Sequence, residues 1–232
     1  MPINLDEVVP WGRSFDEYVA MFALTDADLR SRIVGCGDGP AAFNAIGTRR
    51  GARIVSVDPL YQFEAEAISA RVDETRHIVV EQLRANRSDY VWTSFPSVER
   101  LEHARLSAME SFLEDYADGL DVGRYVAGSL PGLPLAGAGF DLALCSHFLF
   151  LYSAHHDLAF HLAALREMLR VANEVRVFPL LTLAGTVSPY LEDTMQVLRS
   201  EGCFVEICRV NYEFQRGGNE MLRVVGARAD GR

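Results

Sequence analysis

The chain of 232 residues is 49% hydrophobic and 23% charged, with a formal net charge of −10. That is an ordinary balance for a globular protein expected to build one core, a single domain over residues 1–232. Its 22 basic residues are all arginine and form no cluster. An acidic chain of this kind argues against a nucleic-acid partner, whose affinity is built from neutralised phosphates. No run approaches the roughly 20 apolar residues of a membrane span, so no membrane partner is expected.

The opening "MPINLDEVVPWGRSF" has no basic stretch ahead of an apolar run, and no secretory signal is read there. Cys36, Cys145, Cys203 and Cys208 form no CxxC pair, which fits reduced thiols and a cytoplasmic location. Ser14 and Glu17 have the spacing of a capping box, and Phe15, Tyr18, Val19 and Phe22 follow at helical intervals. A short amphipathic helix is therefore predicted within an N-terminal helical segment, 1–28. Residues 32–35 read as the first strand, and Pro40 is expected just inside the next helix, which Gly51 closes. "ARIVSVD" (52–58) is a second buried strand ending on an acid.

Three helices, near 62–72, 74–86 and 97–117, are predicted before the next strand. The stretch of about 60–120 reads as a helical insertion covering one side of a site. Its last helix carries Leu101, Ala108, Met109, Phe112, Leu113 and Tyr116, a stripe suited to core packing. "GRYVAGS" (123–129) is the third strand, and "FDLALCSHF" (140–148) has the continuous apolar run of a central one. A helix over 156–172, a fifth strand over 174–181 and a helix opened by Ser188-Pro189 and stopped by Gly202 follow. "CFVEICRVNYEF" and "EMLRVVGA", joined by "QRGGN", predict a closing antiparallel hairpin. The fold class is α/β: a Rossmann-like, doubly wound, mostly parallel seven-stranded sheet with a C-terminal antiparallel hairpin and a helical insertion. Ligands are expected outside the carboxyl ends of its strands.

The stretch "RIVGCGDGPAAFNA" carries glycines at every second position, Gly35, Gly37 and Gly39, between a strand and a helix. It reads in two registers. Gly37-x-Gly39-x-x-Ala42 with Asp58 about 20 residues on satisfies the dinucleotide fingerprint. Gly35-x-Gly37-x-Gly39 instead sets the lead glycine directly after the strand. Pro40 removes a donor that a pyrophosphate would want, and the terminal hairpin is unlike a second mononucleotide-binding half. Both favour a cofactor without phosphate.

These residues resemble the class I S-adenosylmethionine-dependent methyltransferases over about 28–228, outside the insertion. The matching motifs are "VGCGDG", Asp58 in "SVDPLY", "FDLALCSHFLF" and the closing hairpin. The chain is also similar to a bacterial group of methyltransferase-like proteins of unassigned substrate, with openings like "PWGRSFDEY" and endings like "NYEFQRGGNEML". The resemblance implies S-adenosylmethionine as cofactor, with Gly35, Cys36 and Gly37 approaching its methionine and ribose, and Asp58 taking the ribose hydroxyls. Pro59 and Tyr61 would lie beside the adenine, Ser129 and Leu130 at its edge, and Ser146 and His147 before the sulfonium. Two positions depart from the family pattern. Ile33 stands where an acid usually holds the ammonium, a role that then falls to Asp38 or to backbone carbonyls, and Ser129 stands where Asp is frequent.

His147, at the carboxyl end of a central strand, is the candidate base for an acceptor's proton. Substrate contacts are expected from Trp11 and Arg13, folding over the site with Tyr18, and from Tyr212, Arg216 and Asn219 near the hairpin tip. His156 and His161 are five apart and share no helical face, so no metal site is expected among His155, His156 and His161. The implied function is methyl transfer to a small molecule. The alternatives are a non-catalytic S-adenosylmethionine-binding protein and an NAD(P)-dependent reductase. Oligomeric state has no signature in the chain.

Overall fold

The computed structural model describes residues 11–227. The first ten residues of the N-terminal segment, and with them most of the stretch read for a secretory signal, lie outside the described residues, as does the end of the resemblance at 228. Seven strands form one sheet: β1 (Arg32–Cys36), β2 (Arg53–Val57), β3 (Tyr125–Val126), β4 (Phe140–Ser146), β5 (Ala172–Phe178), β6 (Phe204–Arg209) and β7 (Glu220–Val225). Their order is β3-β2-β1-β4-β5-β7-β6. The first five are parallel, while β7 runs antiparallel to both β5 and β6. This is the expected doubly wound α/β sheet with its antiparallel hairpin. After β3 the chain returns to the other side of β1, so the strand order reverses between β1 and β4. A crevice opens outside the carboxyl ends of strands at such a reversal.

Strand alternation divides the core between the two faces. Val34 and Cys36 of β1 and Ala143 and Cys145 of β4 pack toward α6 (Leu158–Val171) and α7 (Leu191–Ser200). Ile33, Leu142 and Leu144 face the other way, toward α1 (Phe15–Met21) and α3 (Phe43–Arg49). The α1 capping box forms as the sequence predicts: Ser14 Oγ accepts from the Glu17 N–H, and the Glu17 carboxylate accepts from the Ser14 N–H. A second box, Thr25 with Asp28, starts the five-residue α2 (Asp26–Arg30), which the sequence pattern did not reveal.

Several boundaries differ from expectation for local reasons. The segments near 62–72 and 74–86 form a single helix, α4 (Ala65–Ala85). No glycine or proline interrupts it, and Arg71–Glu74 and Asp73–Arg76 form ion pairs across the position read as a break. The following helix, α5, spans Val98–Asp121. β3 has only two residues, because only Ser56 and Val57 of β2 pair with it. β5 stops at Phe178, where Pro179 offers no donor. The hairpin connection is also longer than "QRGGN": Val210 closes on Asn219 (N···O 2.9 Å), enclosing a loop. That loop is tied to the α4–α5 connection, with the Val91 N–H donating to the Phe214 carbonyl (2.7 Å) and the Arg216 N–H to the Asp89 carbonyl (2.9 Å).

Candidate active site at the carboxyl edge of the sheet

A cavity of about 390 Å³ lies outside the carboxyl ends of β1, β2 and β4, within the usual size of small-molecule sites. Its floor is made of the ends of the strands and the chain leaving them: Gly37, Asp38 and Gly39 after β1, Asp58 after β2, Ser129 and Leu130 after β3, and Ser146 at the end of β4 with His147 after it. Trp11, Arg13 and Tyr18 wall it on the N-terminal side. Val79 and Leu83 from α4, Arg105 from α5, and Phe214 and Gln215 from the hairpin loop cover it.

The glycine loop is shaped by positive φ. Gly37 (φ 74°) donates its N–H to the Val57 carbonyl (2.8 Å), and Gly39 (φ 54°) donates to Asp58 Oδ2 (2.8 Å). A Cβ on Gly39 would meet nothing within 4 Å, so this backbone faces open space. Gly35 has a different reason to be glycine: its missing Cβ would lie 1.8 Å from Asp38 Oδ2. The Asp38 side chain folds back across β1, and glycine is the residue that leaves it room. α3 begins at Phe43, so Pro40 sits in the loop and removes no first-turn donor. The expectation that placed it inside the helix is corrected.

Asp58 caps the 3₁₀ turn Pro59–Gln62, accepting from the Leu60 N–H through Oδ1 (2.8 Å). Burial raises its pKa, opposed by the Leu60 and Gly39 N–H groups. Asp38 accepts from Tyr18 Oη (2.8 Å) and from Ser56 Oγ (2.6 Å). Burial pushes its carboxyl up to about 6, against the pull of those two hydroxyls. Among the described residues neither carboxylate has an ion-pair partner.

His147 adopts φ 52°, fastened by its N–H to the Phe178 carbonyl (2.6 Å), and its ring lies edge-on to Phe178. Nδ1 is 2.9 Å from Ser146 Oγ. Burial, then the nearby Arg13 and Arg105 charges, hold its pKa well below the ordinary histidine value, so the imidazole is neutral at pH 7. A neutral imidazole at a cavity wall is able to accept a proton.

Beside Arg13 lies a buried ionic cluster. Arg105 grips Glu17 with a two-pronged ion pair, one prong at 2.7 Å, and Tyr212 Oη donates to Glu17 Oε1 (2.8 Å). Burial alone would raise the Glu17 carboxyl, but the Arg105 guanidinium overrides it and holds it at about 2. Arg13 stands beside this pair and donates through Nη1 to the Trp11 carbonyl. Burial and the neighbouring Arg105 charge lower its pKa.

Of the residues expected to touch cofactor or substrate, ten line the cavity, Trp11, Arg13, Gly37, Asp38, Asp58, Pro59, Ser129, Leu130, Ser146 and His147, and Tyr18 lines it with them. Six do not. Gly35 accommodates Asp38, as above. The Cys36 side chain alternates to the opposite face and is fully buried beside Cys145 in the α6–α7 core. Tyr61 is buried among Phe112, Tyr116 and Tyr125, with its hydroxyl on the Gly39 carbonyl (2.7 Å). Tyr212 points into the ionic cluster. Arg216 binds the Ser88 and Tyr90 carbonyls (3.2 and 3.3 Å), and Asn219 binds Glu213 Oε2 (3.0 Å), so both fasten the hairpin loop. The residues of that loop that do line the cavity are Phe214 and Gln215. Ile33, at the family's acid position, is fully buried in apolar core.

Arg105 and Glu17 have no place in the sequence reading as site residues. The signal for Arg105 was present: it falls four residues after Leu101 and four before Met109, a charge inside an apolar stripe. Among the described residues, no group of three or more His, Cys, Asp or Glu side chains forms a metal-holding cluster, and no helix is long and apolar enough to cross a membrane.

The strand order, the antiparallel β7 and the site at the β1/β4 reversal define the fold of class I methyltransferases. Among solved structures, mitomycin 7-O-methyltransferase MmcR superposes with a TM-score of 0.50 at 13% identity, covering 92% of this chain and 54% of that one. The chain thus spans about half of that enzyme's length. Magnesium protoporphyrin IX methyltransferase from Synechocystis PCC 6803, solved with bound S-adenosylmethionine, gives a TM-score of 0.49 at 13% identity, covering 92% of this chain and 78% of that one. No family model matches the chain. In sequence, uncharacterized protein MJ0045 of Methanocaldococcus jannaschii is 30% identical over 221 residues, 95% of this chain and 97% of that protein. The chain belongs to the family of MJ0045.

Proposed function

We propose that the protein binds S-adenosylmethionine and transfers its methyl group to a small-molecule acceptor. The observation that carries this reading is Asp58, a carboxylate at the end of β2 that closes on the open glycine loop in a cavity at the strand-order reversal. The residues present suit such a cofactor. The open space over Gly39 allows a ligand to approach the backbone, and Asp58 keeps oxygen lone pairs for a ribose diol beyond its two N–H partners. Ser129 and Leu130 would border the adenine. The hairpin β6–β7 occupies the place of a second mononucleotide-binding half, which favours this cofactor over NAD(P).

The bound cofactor supplies a methyl group already activated by a positively charged sulfur. The chain's own work is then to align the acceptor, exclude water and remove a proton. Val79, Leu83, Leu183 and Phe214 make the covering wall apolar. His147, neutral and beside Ser146, would take the proton of an acceptor hydroxyl or amine.

Isothermal titration with S-adenosylhomocysteine and with NAD tests the cofactor. Binding of the first and not the second is expected, and binding of NAD alone overturns the reading. Transfer of labelled methyl from S-adenosylmethionine into a metabolite extract separates an enzyme from a non-catalytic binder. His147→Asn, a residue that tolerates positive φ, is expected to slow transfer roughly a hundredfold to ten-thousandfold, with a much smaller change in S-adenosylhomocysteine affinity.

A further inference from the structure

We propose that the Arg13 guanidinium is a carboxylate-binding subsite of the cavity. The inference rests on the methyltransferase reading only for the source of that carboxylate. Charge is unbalanced at this end of the cavity. Arg13 and Arg105 both line the cavity, and Glu17 is the carboxylate acting on both. Glu17 gives both of its oxygens to Arg105 and one of them also to Tyr212. Arg13 therefore has one backbone acceptor, the Trp11 carbonyl, and no carboxylate within ion-pair reach among the described residues. Its Nε is buried without an acceptor, and so is the Nε of Arg105, a side chain only 1% exposed. Arg13 is half-buried as a residue, but a guanidinium whose Nε is shut away from water with no acceptor and no paired carboxylate is costly to hold, and an anion entering the cavity relieves that cost. The planar fork of a guanidinium matches a carboxylate in geometry as well as charge.

Arg13 is also held in place. Its carbonyl accepts from the Ala42 N–H (2.9 Å), and the neighbouring Gly12 lies so close to the glycine loop that a Cβ there would stand 2.2 Å from the Pro40 carbonyl. The backbone that carries the cation is thereby fixed against the loop, the guanidinium itself bonds the Trp11 carbonyl, and its charge is within electrostatic reach of His147. Asp38 and Asp58 direct their oxygens to hydroxyl and N–H partners and leave this end of the cavity to the arginines. Two carboxylates could fill the subsite: the one on the amino-acid end of the cofactor, or one on the acceptor.

Calorimetry on the full chain distinguishes them, using S-adenosylhomocysteine, its decarboxylated analogue and benzoate as probes. If the cofactor is the source, wild type prefers S-adenosylhomocysteine to the decarboxylated analogue by roughly tenfold to a hundredfold. Arg13→Gln then removes that preference and leaves the analogue's affinity unchanged. If the acceptor is the source, Arg13→Gln leaves S-adenosylhomocysteine binding intact, and benzoate binds the loaded wild type but not the loaded variant. Equal affinities of wild type and Arg13→Gln for all three probes overturn the proposal. Should Arg13→Gln fail to fold, wild type alone decides: indifference both to decarboxylation and to benzoate sinks the subsite. Failure of wild type to bind either nucleoside would instead sink the cofactor reading, and benzoate titration of the free protein would then decide the subsite by itself.

Discussion

Glu17 and Asp38 are both buried carboxylates, Asp38 in the cavity floor and Glu17 behind the cavity-lining Arg105, and their surroundings drive them apart. Glu17 is 6% exposed and Asp38 is 8% exposed, so burial alone does not separate them. The difference is the partner. Glu17 meets the Arg105 guanidinium and is held at about 2, whereas Asp38 meets only the Tyr18 and Ser56 hydroxyls and rises to about 6. At Asp38 the two hydroxyls only soften the desolvation, whereas at Glu17 the Arg105 cation reverses it. Adjacent residues of α1 deliver this contrast, since Glu17 joins the ionic cluster while Tyr18 reaches over to Asp38.

The contrast can be broken first at the ion pair. Glu17→Ala strands the buried Arg105 without a carboxylate and is expected to cost about 3–5 kcal/mol of stability by chemical denaturation. Gly35→Ala attacks the other carboxylate by forcing a Cβ into the Asp38 side chain. An expected loss of about 1–3 kcal/mol checks that the glycine serves Asp38.

Titration sharpens the comparison because the two signs are opposite. Asp38 is raised from 3.8 to about 6, so its ionisation disfavours the fold. Its contribution is fullest below pH 3.8 and is lost as pH rises to about 6, a change on the order of 1–3 kcal/mol. Glu17 is lowered from 4.5 to about 2, so its stabilisation is complete above pH 4.5 and is lost as pH falls toward 2. Urea midpoints against pH should therefore lose the 4–6 slope in Asp38→Asn and keep the acid limb below pH 4.5. The smallest stability effect is expected at Asp58→Ala, about 1 kcal/mol for the lost cap. That variant should nevertheless weaken S-adenosylhomocysteine roughly tenfold to a hundredfold if the ribose is bound there.

Much of the fold was legible because its signals are local. The apolar run of β4, the box at Ser14 and Glu17, and the glycines after β1 each report on neighbours within a few residues. Boundaries failed where pairing, not propensity, sets them: β2 has five residues, but only Ser56 and Val57 pair with β3, which is therefore two residues long. Asp58 and His147 could be read because the ends of parallel strands carry the ligand side in such a sheet. Tyr212, Arg216 and Asn219 could not be separated from Phe214 and Gln215, since which residues of a loop face inward depends on what the loop is tied to. Here it is tied to the α4–α5 connection through Val91, Ser88 and Tyr90.

Composition and periodicity alone settle the doubly wound sheet, the closing hairpin and the loop at the head of β1, because hydrophobic pattern and turn chemistry act at short range. The charge state of the cavity is another matter. Arg105 meets Glu17 across 88 residues of chain, and Tyr212 meets it across 195. No local pattern encodes either meeting. The packing of α1, α5 and the hairpin loop over one crevice brings them together, excludes water from them, and leaves Arg13 as the cation whose charge they do not balance.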